Sequence, residues 1–207
     1  MLLRIGAGSY GEVWLARNAL GTLRAMKIVR RAQFESDRPY EREFEGLRRF
    51  EPVSRTHPGL IQLLQIGRND AEGYFYCVME LADDAGAERG TGNAESTGAH
   101  AAPPAPAAYI PRTLRHELKT RGRLPLDECL RQGLALTEAL EPLHRQGLVH
   151  RDIKPSNIVF VNGAPKLADV GLVAAAGEPR SVVGTLVITH IFLRIVERLL
   201  LHVLACQ

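Results

Sequence analysis

The sequence predicts an α+β chain in two lobes: a small antiparallel sheet with one helix, then an incomplete helical lobe. Three observations predict it. Apolar stretches of strand length fill most of residues 1–82 around one helix-period segment. From Asp83 to Ala108 the chain turns to Ala, Gly and Pro with almost no large apolar side chains, a composition that cannot bury a core. Beyond it the apolar spacing becomes helical. With 207 residues, 45% hydrophobic and 24% charged, the chain has apolar material for one globular domain or two small lobes.

Each element follows from local spacing. Leu3 and Ile5 precede a glycine cluster and Val13 and Leu15 alternate after it, so the chain turns as a hairpin through Gly6 to Gly11. "TLRAMKIVRR" is a third strand, with Ala25 and Lys27 on one face and Met26 and Ile28 on the other. In "SDRPYEREFEGLRRF", Tyr40, Phe44 and Leu47 recur at i, i+4 and i+7, which predicts a helix with one apolar stripe. "LIQLLQIGRND" and "EGYFYCVMEL" read as two more strands joined by a polar turn from Asn69 to Gly73. After the compositional break, "PRTLRHELKTRG" predicts a short helix. "LDECLRQGLALTEALEPLHRQG" predicts a long one whose Leu130, Leu134, Leu140 and Leu143 are expected to supply the buried face. A last hairpin, "NIVFVNGAPKLAD", turns at Asn162-Gly163. The chain therefore divides into residues 1–82, an insertion expected to be disordered at 83–108, a helical part at 109–185 and an apolar tail at 186–207.

Bulk properties narrow the function classes. The net charge of +3 comes from arginines scattered along the chain, which gives little support for a nucleic-acid partner. Cys77, Cys129 and Cys206 form no CxxC pair, which argues against a disulfide framework or a zinc site and fits a reducing, cytoplasmic setting. The N-terminus lacks the apolar run of a secretory signal. Arg194, Glu197 and Arg198 interrupt the apolar tail, so no transmembrane segment is expected. Nothing in the sequence fixes an oligomeric state.

The chemistry is carried by a few short runs. Gly6, Gly8 and Gly11 form G-x-G-x-x-G, whose missing side chains let backbone approach phosphates closely. A dinucleotide-binding fold would follow such a run with a helix; here a strand follows, which favours a hairpin covering a nucleotide. Lys27, on the buried side of the next strand, needs an anion, and Glu43 on the following helix is its natural partner. Either residue alone reads as an exposed charge; their order after the glycine hairpin reverses that preference. In "VHRDIKPSNIVF", Asp152, Lys154 and Asn157 crowd between two apolar stretches, and Asp169 follows the last hairpin. Asn157 and Asp169 offer oxygen to hard divalent cations. Asp152 can accept or orient a hydroxyl proton, and Lys154 can steady a transferred phosphoryl charge. Together they make a phosphoryl-transfer site.

In order, "GAGSYGEV", "AMK", "REFEGL", "HRDIKPSN" and "ADVG" resemble the signature set of the protein kinases, from about Leu3 to Thr185. The resemblance implies a two-lobed protein-kinase-like fold and ATP-dependent transfer, with Mg2+, to serine or threonine of a protein substrate. It implies that Gly6, Gly8 and Gly11 cover the ATP phosphates and that Lys27, paired with Glu43, holds the α- and β-phosphates. Val13 and Ala25 would pack on the adenine from above and Val159 from below. Met79 would be the gatekeeper of a hinge, "VMELA", whose Glu80 and Ala82 present backbone to the adenine edge. Asp152 would be the catalytic base, Lys154 the γ-phosphate contact, and Asn157 and Asp169 the magnesium ligands. "DIKPSN" resembles the bacterial serine/threonine branch.

Two departures stand out. Val170 occupies the place of the family's usual phenylalanine after Asp169. After "SVVGT", where Ser181 and Thr185 are candidate phosphosites, the family's Ala-Pro-Glu run is not found. Instead Ile188, Ile191, Phe192, Ile195, Val196, Leu199 and Val203 recur at helical spacing. The expectation is a kinase incomplete at its C-terminal end. The competing reading is a non-catalytic ATP-binding pseudokinase or scaffold.

Overall fold

A computed structural model describes residues 1–8, 10–86, 109–169 and 174–175. Five antiparallel strands open the chain: β1 (Leu3–Gly8), β2 (Gly11–Arg17), β3 (Leu23–Arg30), β4 (Leu63–Asn69) and β5 (Tyr74–Met79). Their order in the sheet is β1-β2-β3-β5-β4. The register sets Val13 opposite Lys27 and Leu15 opposite Ala25, then Ala25 opposite Met79 and Lys27 opposite Cys77. Since side chains alternate faces along a strand, this pairing gathers Val13, Ala25, Lys27 and Met79 on one side of the sheet.

Gly11 belongs at the start of β2 for a steric reason. A Cβ there would lie 2.5 Å from the Ile28 carbonyl oxygen, so the approach of β2 to β3 excludes any side chain. At Gly6 the nearest atom would be the Val13 Cβ at 3.6 Å, an ordinary contact, so the protein's own packing leaves space at that position.

One helix, α1 (Asp37–Val53), lies against the sheet with Tyr40, Glu43, Leu47 and Phe50 buried. Phe44 is only partly buried and packs at the margin, its ring centroid 5.2 Å from that of Phe75.

The second part contains α2 (Leu114–Arg121), α3 (Leu126–Arg145) and two short strand pairings. β6 (Leu148–Val149) pairs with β9 (Ala174–Ala175), and β7 (Ile158–Val161) pairs with β8 (Ala164–Leu167). The connection between the parts is anchored twice. Leu167 N donates to Gly59 O at 2.8 Å and Ile61 N to Leu167 O at 2.9 Å. The Asp83 carboxylate accepts from the backbone of Asn162 and Gly163 at 2.7 and 2.8 Å, which ties the chain beyond β5 to the β7–β8 turn. Asp84 then bridges Pro111, so the chain on either side of residues 87–108 is pinned together at its base.

The expected buried face of α3 needs correction. Leu143 is fully buried with Ala139, and Leu140 is partly buried, but Leu130 and Leu134 are 53% and 65% exposed. Leu130 and Leu143 are about 220° apart around a 3.6-residue helix, and Leu134 about 180° from Leu143, so the four leucines cannot share a face. The half of α3 nearer its C-terminus packs on the described core, while Leu126, Leu130 and Leu134 point away from it.

Leu143→Ala should lower the unfolding free energy by about 2–5 kcal/mol, whereas Leu130→Ala should stay within about 0.5 kcal/mol of the unmutated protein. Denaturant titration of the two variants measures the contrast; similar losses would mean that α3 packs through its other face.

Candidate active site

Lys27 sits at the junction of the two parts. Its side chain leaves β3 on the inner face of the sheet and is only 9% exposed. Glu43 from α1 approaches its Nζ at 3.8 Å, and Asp169, beyond β8, accepts from it at 2.5 Å. Burial works against the charge of Lys27, yet the two carboxylates outweigh it and leave the pKa raised. Burial likewise opposes ionisation of Asp169, but the Lys27 cation prevails and holds that carboxyl below its usual range. Glu43 comes out differently. Burial pushes its carboxyl up to about 7, with Lys27 only partly offsetting the shift. Lys27 is thus paired first with Asp169, while Glu43 sits near its titration point at neutral pH.

Facing this trio, residues 150–157 form a tight loop. Asp152 N donates to His150 O at 2.9 Å, closing a three-residue turn in which Arg151 has φ of 61°. Left-handed backbone at a residue with a Cβ costs roughly 1–2 kcal/mol, so surrounding bonds must hold it. They do: Asn157 Nδ2 donates to both the backbone oxygen and Oδ2 of Asp152, at 2.9 and 2.8 Å. Lys154 Nζ donates to the same Oδ2 at 2.7 Å. With its Nδ2 committed, Asn157 turns its carbonyl oxygen to other partners. His150 is fully buried, its Nε2 lies 3.1 Å from Ala168 O, and burial lowers its pKa, so the neutral ring fastens this loop to the residue before Asp169. Asp169 itself has φ of 57°.

A cleft of about 560 Å³ opens between the parts, within the range of small-molecule sites. Gly6, Val13, Ala25 and Lys27 line its upper side; Met79, Glu80 and Ala82 its back; Lys154, Asn157, Val159 and Asp169 its lower side. Of the residues singled out in the sequence, Gly8 and Gly11 form the hairpin end beside it, and Glu43 lies behind Lys27. Asp152 is not itself part of the lining but is bonded to Lys154 and Asn157, which are. Val170, Ser181 and Thr185 lie outside the described residues.

Sequence reading missed part of the lining. Tyr109, Pro111, Thr113 and Arg115 border the cleft, and the Tyr109 hydroxyl donates to Ala82 O at 2.8 Å. The signal available was one aromatic residue at the end of a stretch without any. Among the described residues no three His, Cys, Asp or Glu side chains form a metal cluster, so a cation here would draw on the Asn157 and Asp169 oxygens together with oxygens from a ligand.

Residues 107–193 match the protein kinase domain family. The serine/threonine-protein kinase PknA of Mycobacterium tuberculosis is 31% identical over 181 residues, which cover 83% of this chain and 34% of that protein. A share that large cannot fall within the C-terminal part alone, so the match reaches into the sheet part of the chain. Over most of its length this chain is similar to serine/threonine-protein kinases. AfsK of Streptomyces coelicolor, another serine/threonine-protein kinase, is 28% identical across 87% of this chain and 19% of its own length. TOS3 of Saccharomyces cerevisiae, likewise a serine/threonine-protein kinase, is 30% identical across 83% and 28%. The chain spans about a third or less of the length of these relatives. Among the described residues no helix is long and apolar enough to cross a membrane.

The raised pKa of Glu43 has a signed consequence for the stability of the fold. A carboxyl whose folded value exceeds its unfolded value contributes stability fully present below the unfolded value and lost as pH rises through the folded one. The Glu43 contribution should therefore decline between about pH 4.5 and 7. Glu43→Gln removes that titration. Unfolding free energy against pH for both proteins should give a difference curve favouring the variant increasingly across this window, with a slope of up to about 1.4 kcal/mol per pH unit. Taking the difference cancels His150, whose depressed pKa acts in the opposite sense. A flat difference curve would mean that Glu43 stays ionised beside Lys27.

Proposed function

We propose that the cleft binds ATP with Mg2+ and that the chain transfers the γ-phosphoryl group to a serine or threonine hydroxyl of a protein substrate. One observation carries this reading: a buried lysine held between two carboxylates opens onto a cleft roofed by a glycine hairpin and floored by Asn157 and Asp169. A lysine so placed is an anchor for phosphate oxygens, and the free space beside Gly6 suits a ligand that approaches the backbone.

The residues fit the nucleotide and its metal. Adenine would lie between Val13 and Ala25 above and Val159 below, against the segment from Met79 to Ala82. Glu80 keeps its side chain out of the way, since its Oε1 accepts from Lys166 Nζ at 2.6 Å and from Gln62 N at 2.8 Å. The Asn157 carbonyl oxygen and the Asp169 carboxylate would hold Mg2+, which would neutralise phosphate charge. Asp152 accepts both of its described side-chain bonds on Oδ2, so its carboxylate can orient an acceptor hydroxyl and take its proton as the hydroxyl oxygen bonds to phosphorus and the bond to the β-phosphate oxygen breaks. Lys154, 44% exposed, can follow the charge of the transferred group. The unpaired Cys77 and Cys129 suit a cytoplasmic setting.

Mg·ATP should raise the melting temperature of the full chain, and Lys27→Ala and Asp169→Ala should each abolish the rise. Asp152→Asn should keep the rise and lose phosphate transfer to a generic protein substrate by about 10²–10⁴-fold. No rise in the unmutated protein would overturn the nucleotide reading. Equal transfer by Asp152→Asn and the unmutated protein would remove Asp152 from the chemistry and leave a nucleotide-binding protein.

A further inference from the structure

Arg115 is the second residue of α2, is exposed, and lines the cleft together with Lys154, Ser156 and Asn157. Its position is fixed by backbone. Thr113 forms an antiparallel bridge with Val159, Phe160 N donates to Arg112 O at 2.9 Å, and the Thr113 hydroxyl accepts from His116 N at 3.0 Å to start the helix. The first turn of α2 is thereby set against the short helical turn Pro155–Asn157, next to the loop that carries Asp152.

The charges around Arg115 are uneven. Among the described residues both carboxylates lining the cleft are already engaged, Glu80 by Lys166 and Asp169 by Lys27. Two residues along α2, Glu117 is buried and committed to Arg112 and Arg121. Among the described residues Arg115 has no acidic partner, so the mouth of the cleft carries an unneutralised guanidinium beside Lys154. The phosphate end of a nucleotide is served by Lys27 and the glycine hairpin on the opposite wall, which leaves Arg115 to whatever enters over the lower rim.

We infer that Arg115 is a specificity residue for the protein substrate and selects acceptor segments that carry an acidic side chain near the serine or threonine. This rests on the phosphoryl-transfer reading. A guanidinium offers a carboxylate two parallel hydrogen bonds, and among the described residues lining the cleft both carboxylates are already paired with lysines, which leaves them little to offer a basic substrate. Because Arg115 is exposed, the preference is modest and falls with ionic strength.

The test uses the full chain and a set of serine-acceptor peptides that differ at one position on either side of the acceptor, carrying Glu, Ala or Arg. The unmutated protein should use the Glu peptide about three- to thirtyfold better in kcat/KM than its Arg counterpart at one position at least. Arg115→Ala should level that ratio and Arg115→Glu should invert it, with KM for ATP changed less than about twofold in both. Equal use of Glu and Arg peptides at every position, or a preference that survives Arg115→Glu, would overturn the inference. A raised KM for ATP with unchanged peptide preference would also overturn it, assigning Arg115 to the nucleotide. Transfer to none of the peptides, with Mg·ATP still bound, would overturn the phosphoryl-transfer reading and this inference with it.

Discussion

The site depends on a buried cation shared by two carboxylates from distant parts of the chain. Taking the Lys27 ammonium out of water is costly unless anions compensate, and removing either partner leaves charge stranded in the interior. Asp169 compensates most directly, and because it follows β8 while Lys27 belongs to β3, one ion pair joins the two parts across the cleft. Glu43 adds a second carboxylate from α1 whose proton is poorly determined near neutrality. The arrangement is responsive: an incoming phosphate would compete with Asp169 for the same ammonium, releasing that carboxylate toward a metal.

Backbone geometry holds the opposite wall. Arg151 and Asp169 both adopt left-handed conformations, and a buried neutral His150 lies between their segments, touching Ala168 O. Asn157 closes the loop through Asp152. Strain of this kind persists only where surrounding bonds over-determine it, and here those bonds tie Asp152 to Asn157 and His150 to the residue before Asp169. The anchor through Asp83 extends the same logic to the back of the cleft, since it fixes the chain after Ala82 to the turn at Asn162 and Gly163.

Much of this was legible in the sequence, for specific reasons. A strand's period of two put Ala25 and Lys27 on one face, and the glycine run followed by alternating Val13 and Leu15 gave the hairpin. The pairing of Lys27 with Asp169, 142 residues away, has no local signature and was not read from the sequence, which paired Lys27 with Glu43 alone. Leu130 and Leu134 were misassigned because counting leucines along α3 ignored their angular positions. Tyr109 and Arg115 were missed because their roles arise from a bridge between Thr113 and Val159, a tertiary contact across a compositional break that no periodicity encodes.

The central claim is that Lys27, Asn157 and Asp169 surround one shared ligand. A crystal structure of the full chain with Mg2+ and a non-hydrolysable ATP analogue tests it most directly. The account predicts Lys27 Nζ within hydrogen-bond distance of α- or β-phosphate oxygens, and Asn157 and Asp169 oxygens on the same metal ion. A nucleotide bound elsewhere, or one in the cleft with Lys27 out of reach of its phosphates and the metal away from Asn157 and Asp169, would contradict it.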